Sequence, residues 1–158
     1  MLIQLILFSG FAGGTVFIGG ILANYFNHHI SESPVKYEII HTLMSFGSGI
    51  MLSALALVLI PKGMEQLELL PIVFSFLLGA ISFMIVNQYL ANKGGKTATL
   101  LAMLMDFIPE SIALGAVFAI EPDMALLLAV FIGLQNLPEA FNSFRDLIQS
   151  GFTIHKTL

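Results

Sequence analysis

Asp106 and Glu110 stand four residues apart, and so do Gln135 and Glu139. On a helix that spacing puts both members of a pair on one face. Each pair ends in a Pro-Glu step, Pro109-Glu110 and Pro138-Glu139, inside an otherwise apolar stretch. A carboxylate at the centre of a bilayer costs roughly 2.5–3.5 kcal/mol or more on insertion scales. Three carboxylates fall at that depth, and no Lys or Arg occurs from Thr97 to Phe144 to neutralise them. A bound cation is the simplest neutraliser. If the two faces meet, four oxygen-bearing side chains converge near the midplane. Pro109 has no N–H for the carbonyl of Met105, and Pro138 none for that of Leu134, so a kink and an exposed carbonyl are expected beside each pair. Interrupted helices at that depth recur at ion sites in transporters.

Three anions facing one divalent ion leave a net charge of −1. Metal binding to such a set is expected to release protons, and acid to weaken it. Ligation by oxygen without His or Cys suits a hard or borderline ion, with Mn²⁺, Fe²⁺, Zn²⁺ and Mg²⁺ all open. The competing reading is that protonated carboxyls act as polar glue between helices. Two similarly spaced pairs favour the ion.

Positioning those pairs requires membrane-spanning helices. The chain has 158 residues, of which 57% are hydrophobic and only 10% charged, and its mean hydropathy is +0.93. A soluble domain needs more polar surface. Five apolar segments run over 2–26, 37–60, 69–90, 97–120 and 124–147. At 1.5 Å per residue each can cross a hydrocarbon core of about 30 Å. Backbone satisfaction in lipid demands helices, and no alternating pattern of a barrel is present. The reading is a single all-α domain, a polytopic transmembrane bundle of five spanning helices. Residues 1–24 lack a basic leader and a cleavage signature, and are read as the first span rather than a signal peptide. Turn chemistry separates the spans at Ser31–Pro34, Pro61-Lys62-Gly63, Asn92–Gly95 and Glu121-Pro122-Asp123. Cysteine is absent, which removes thiolate ligands and a cysteine nucleophile. Nothing in a net charge of −4 points to nucleic acid.

Lys36, Lys93, Lys96, Arg145 and Lys156 fall on one side of this alternating topology, and Lys62 alone on the other. Basic residues mark the cytoplasmic side, so the N-terminus is expected outside and the C-terminus in the cytoplasm. Glu65, Glu68, Glu121 and Asp123 then form an outer acidic rim. It either raises the local cation concentration or is simply solvated. Gly10, Gly13, Gly14, Gly19 and Gly20 in the first span, and Gly47 and Gly49 in the second, read as close-packing positions. His28 and His29 are expected in a solvated cytoplasmic loop. The eight Met residues read as apolar filler rather than soft ligands. Asn142 and Ser143, one turn past Glu139, are candidates for an exit path.

These motifs resemble those of the ZIP family of divalent metal transporters. Gln135-Asn136-Leu137-Pro138-Glu139-Ala140 is similar to the family's His-Asn-x-Pro-Glu-Gly pattern. Asp106 to Ser111 keeps its Pro109 and Glu110, with Asp106 in place of the leading His and Phe107 in place of Asn. Ser45-Phe46-Gly47-Ser48-Gly49 resembles the family's opening of the second helix. Leu59-Ile60-Pro61 resembles its close, with Val58 where a His would stand and Lys62 where a Glu would stand. The resemblance covers essentially the whole chain. It implies a metal site at Asp106, Glu110, Gln135 and Glu139. It also implies a second site at Asn136 with the shared Glu110 and Glu139, in which Phe107 cannot ligate. The family has eight helices, so the resemblance implies the first five of them, in a truncated or oligomeric form.

The expected function is transport of a divalent metal ion of the Zn, Fe or Mn class into the cytoplasm, between the fourth and fifth spans. The ion is the substrate, and no organic cofactor is called for. The expected setting is the cell membrane, with the lipid bilayer and divalent cations as partners and a second copy in a homodimer as a candidate one. The alternative is a metal-binding membrane protein or fragment that does not transport. An intramembrane protease is the weakest reading, because aspartyl chemistry needs two neighbouring carboxylates tuned apart and the fifth span has no Asp at the depth of Asp106.

Overall fold

Short caps and glycine turns separate long helices in the computed structural model. It describes residues 2–153 and 157, with the side chains of Leu2, Lys96, Thr97, Thr99, Leu100, Ala102, Met103 and Asp106 outside that description. Helix α1 spans Leu2–His29, α2 Pro34–Ala54, a π-helical turn Leu55–Leu59, α3 Ile60–Gln66, α4 Leu69–Lys93, α5 Gly95–Ile120 and α6 Pro122–Gln149. Among the described residues the chain is all helix, with several long apolar helices of a kind that fits a membrane bundle.

Each break has a local cause. Ser33 is extended, accepts the Lys36 N–H at 3.2 Å and is followed by Pro34 at the first helical position. Gly94 and Gly95 take φ of +60° and +78° between α4 and α5, a conformation that only glycine adopts readily. Pro122 opens α6 directly after extended Glu121. Helix α5 runs through Pro109, and α6 through Pro138, each as one element.

The second span departs from expectation. The Pro61-Lys62-Gly63 segment is helical rather than a turn, and the break falls at Leu67 and Glu68. Pro61 lacks the N–H that the Leu57 carbonyl would accept. The strain is absorbed upstream, where the Ile60 N–H bonds the Leu55 carbonyl in π register. The first span also runs further than expected, so His28 and His29 lie in the last turn of α1 and not in a loop. His29 Nδ1 lies 2.9 Å from the Tyr25 carbonyl, and its ring stacks on Tyr25.

Helix α6 is the axis, packed against α1, α2 and α5. Ala12, Val58, Leu114, Phe118 and Leu128 form one buried cluster around it, and Ala23, Ile40, Phe141 and Phe144 form another. Close packing rests on fewer glycines than the sequence offers. A Cβ on Gly19 would strike the Leu137 carbonyl, and one on Gly47 would lie 2.8 Å from Pro138 Cγ. Gly133 faces the Phe11 ring, whereas Gly10, Gly13, Gly14 and Gly49 face open space. Helix α4 stays at the periphery, with only Leu90 buried.

Ion pairs mark the two ends. Buried Lys36 donates to the Ile30 carbonyl at 2.9 Å and to Glu32 at 2.8 Å. That hydrogen bond and its charge lower the Glu32 pKa, and Arg145 near the end of α6 adds to the effect. The α1–α2 connection and the C-terminal end of α6 therefore share one end of the bundle. At the other end Lys62 pairs with Glu65 and, through Glu121, ties α3 to the α5–α6 turn. Two carboxylates of the expected outer acidic rim thus share one lysine, which offsets one of their two charges.

Candidate metal centre

Gln135 and Glu110 meet although 25 residues separate them. The Gln135 side-chain N–H donates to Glu110 Oε1 across the α5–α6 contact. One member of each pair thus meets across the helix contact. Gln135 is only 4% exposed, and an amide in apolar surroundings needs such a partner.

Successive residues on a helix point about 100° apart, and this splits the expected set. Glu110 and Gln135 face a cavity of about 550 Å³ that Met51, Leu55, Phe76 and Phe83 also line. This cavity lies between the π-helical turn and α2 on one side and α4 and α5 on the other, with α6 as its floor. Gln135 and Glu139 line a second hollow of about 170 Å³ with Gly47, Ser48 and Pro138. Glu139 also borders a third, of about 100 Å³, with Gly20, Phe107 and Ser143. Gln135 and Met51 therefore line both a Glu110 cavity and a Glu139 cavity.

Asn136 is turned the other way. It is 2% exposed, and its side-chain N–H donates to the Ala12 carbonyl on α1 at 3.0 Å. It lines a fourth cavity, of about 110 Å³, with Ser9, Gly13, Phe107, Glu110 and Ser111. Glu110 thus borders one cavity on the α4 side and another on the α1 side. The Asp106 side chain lies outside the described residues. Among those described, no three His, Asp or Glu side chains are grouped closely enough to hold one ion. Among the described residues, no Lys, Arg or His lines any of these four cavities.

Several hydroxyls near these residues bond within their own helices. Ser48 donates to the Met44 carbonyl, Ser53 to that of Gly49 and Ser111 to that of Phe107, which keeps their protons satisfied in an apolar medium. Val58, where the resemblance places a family His, is fully buried in the hydrophobic core. Asn142 donates to Asp146 at 3.1 Å. Ser9 and the π-helical turn escaped sequence reasoning. Ser9 is one hydroxyl in an apolar span, and only Pro61 marked the turn.

No family model, curated protein or solved structure matches the chain.

Proposed function

We propose that this protein moves divalent metal ions of the Zn, Fe or Mn class across a membrane, with Glu110, Gln135 and Glu139 along the α5–α6 contact as its ligating path. Asp106 completes the set through its i, i+4 relation to Glu110. The observation that carries this reading is the Glu110–Gln135 contact: a carboxylate and an amide that meet between two long apolar helices. Carboxylate and amide oxygens gathered at that depth are ligands that a hard or borderline dication can use.

The sequence resemblance to ZIP transporters supports the same reading, as does the spacing of both Pro-Glu motifs. The direction is inward across the cell membrane, with the C-terminus cytoplasmic. The excess of basic residues at the end of the bundle that holds Lys36 and Arg145 supports that orientation.

Uptake of radioactive Zn²⁺ or Mn²⁺ into proteoliposomes tests the proposal. Glu110→Ala and Glu139→Ala are each expected to abolish uptake, and full activity in both rejects it. Metal binding by the wild type without flux selects binding in place of transport. The absence of native cysteine lets single cysteines at Glu32 and Glu68 report the orientation by labelling from one side.

A further inference from the structure

We propose that the cavity between α2, α4, α5 and α6 is a lipid site that takes one acyl chain of a membrane phospholipid. It ends at the Glu110–Gln135 contact, but its existence does not require metal transport.

Shape comes first. The cavity measures about 550 Å³, against about 170, 110 and 100 Å³ for the other three. Its walls run from Met51 to Leu59 on the α2 side and from Ser75 to Phe83 on α4. Eight residues of helix rise about 12 Å, close to the half of a hydrocarbon core of about 30 Å that one leaflet supplies. The Leu59–Ser75 end lies toward the turn at Leu67 and Glu68. The other end reaches Gln135 and Glu110. The cavity is therefore a slot parallel to the helices, a shape that suits an extended hydrocarbon chain better than a compact solute.

The lining fits that guest. Leu55, Leu59, Phe76, Phe83, Leu128 and Ile132 are apolar. Polar side chains sit only toward the two ends, with Ser75 at one and Gln135, already donating to Glu110, at the other. A Cβ on Gly79 would meet nothing within 4 Å, whereas one on Gly19, Gly47 or Gly133 would collide with a neighbour. Small residues in lipid-embedded helices normally admit another backbone, yet Ser75 and Gly79, one turn apart on α4, face this slot. Packed proteins keep few voids larger than one water, roughly 30 Å³, so a cavity of this size calls for a guest.

Access decides which guest. Helices α2 and α4 wall the slot without a packed interface between them. Phe76 is 67% exposed and Met51 42%. The slot therefore opens sideways, at a depth where a bilayer offers hydrocarbon and not water. Burial alone gains a lipid tail little, so shape and dispersion contacts hold the chain.

The test is tryptophan fluorescence of the full chain in nanodiscs, because the sequence has no native Trp. Phe83→Trp reports from the slot, and Phe74→Trp from the exposed side of α4. Phospholipid brominated near the chain end is expected to quench both reporters, and aqueous iodide is expected to leave Phe83→Trp bright. Adding Gly79→Leu, which fills the slot, is expected to remove most of the bromolipid quenching at Phe83→Trp and to leave that at Phe74→Trp. Ser75→Leu fills the slot from its other end, should Gly79→Leu unfold the chain by circular dichroism. Quenching of Phe83→Trp by iodide in place of bromolipid means that water occupies the slot and overturns the proposal. Protection from both quenchers, as a helix of a second copy seated there would give, also overturns it. So does bromolipid quenching at Phe83→Trp that neither filler reduces. The expected quenching in a protein that moves no divalent ion removes the proposed transport and leaves the lipid site standing. Divalent uptake without that quenching does the reverse.

Discussion

Helices α4 and α6 are of similar length, 25 and 28 residues, and both are apolar enough to cross a membrane, yet the bundle treats them in opposite ways. Helix α6 buries Gln135, Asn136 and Pro138. Helix α4 exposes Leu70, Phe74 and Phe76 and carries no Asp, Glu, Lys, Arg or His before its C-terminal Lys93. In water this arrangement would be inverted. Lipid tails are as apolar as leucine, so covering α4 gains little. Amides and carboxylates find no partner in lipid and must turn inward. The more polar helix therefore becomes the axis.

Glycine substitutions test the contrast most severely. Gly19→Leu drives a side chain into the α6 backbone and is expected to destabilise the protein by about 3 kcal/mol or prevent folding. Gly79→Ala on α4 meets nothing within 4 Å and is expected to be neutral or to stabilise by up to about 1 kcal/mol through helix propensity. Unfolding in detergent compares them, and equal losses would dissolve the distinction between the two helices. Next in size is Gln135→Leu, which strips Glu110 of its α6 partner. Loss of a group that orients a ligand is expected to cost about 10–100-fold in divalent affinity, read by calorimetric titration. An apolar swap on α4, such as Leu70→Val, is expected to leave that affinity unchanged. Lys62→Ala releases Glu65 and Glu121 and loosens α3 from the α5–α6 turn. A fall in Tm smaller than that of Gly19→Leu is expected, and an unchanged Tm would mean that this pairing holds nothing.

The smallest effect concerns Glu32. Its carboxyl titrates below the ordinary 4.5 because Lys36 favours the anion. The stabilisation is therefore present above the unfolded pKa and is lost as pH falls through the lower folded value. Glu32→Gln is expected to flatten that part of the acid limb of the Tm–pH curve. Because Glu32 is solvent-exposed, high salt is expected to shrink the difference.

Much of the architecture was readable because lipid imposes a simple rule: long apolar runs with polar breaks form helices. The ends were less legible. Pro61 signalled a break, but the chain absorbed it as a π-helical turn and continued to Gln66. Local residue types identify the strain of a proline but not the turn at which the helix relieves it, here the one that carries the buried Val58. The glycines show the same limit. Seven were read as close-packing positions, but α6 meets Gly19 and Gly47 and leaves others facing open space.

The sequence by itself determined that helices would form, that acidic groups would lie within them, and that Glu110 and Gln135 occupy chemically matched positions. Those are consequences of residue type and of spacing along one helix. Only the tertiary structure decided that Gln135 reaches Glu110, that Asn136 turns to α1 instead, and that Glu110 borders cavities on both sides. Such facts depend on the relative rotation of helices distant in sequence, which a helical repeat leaves open and close packing fixes.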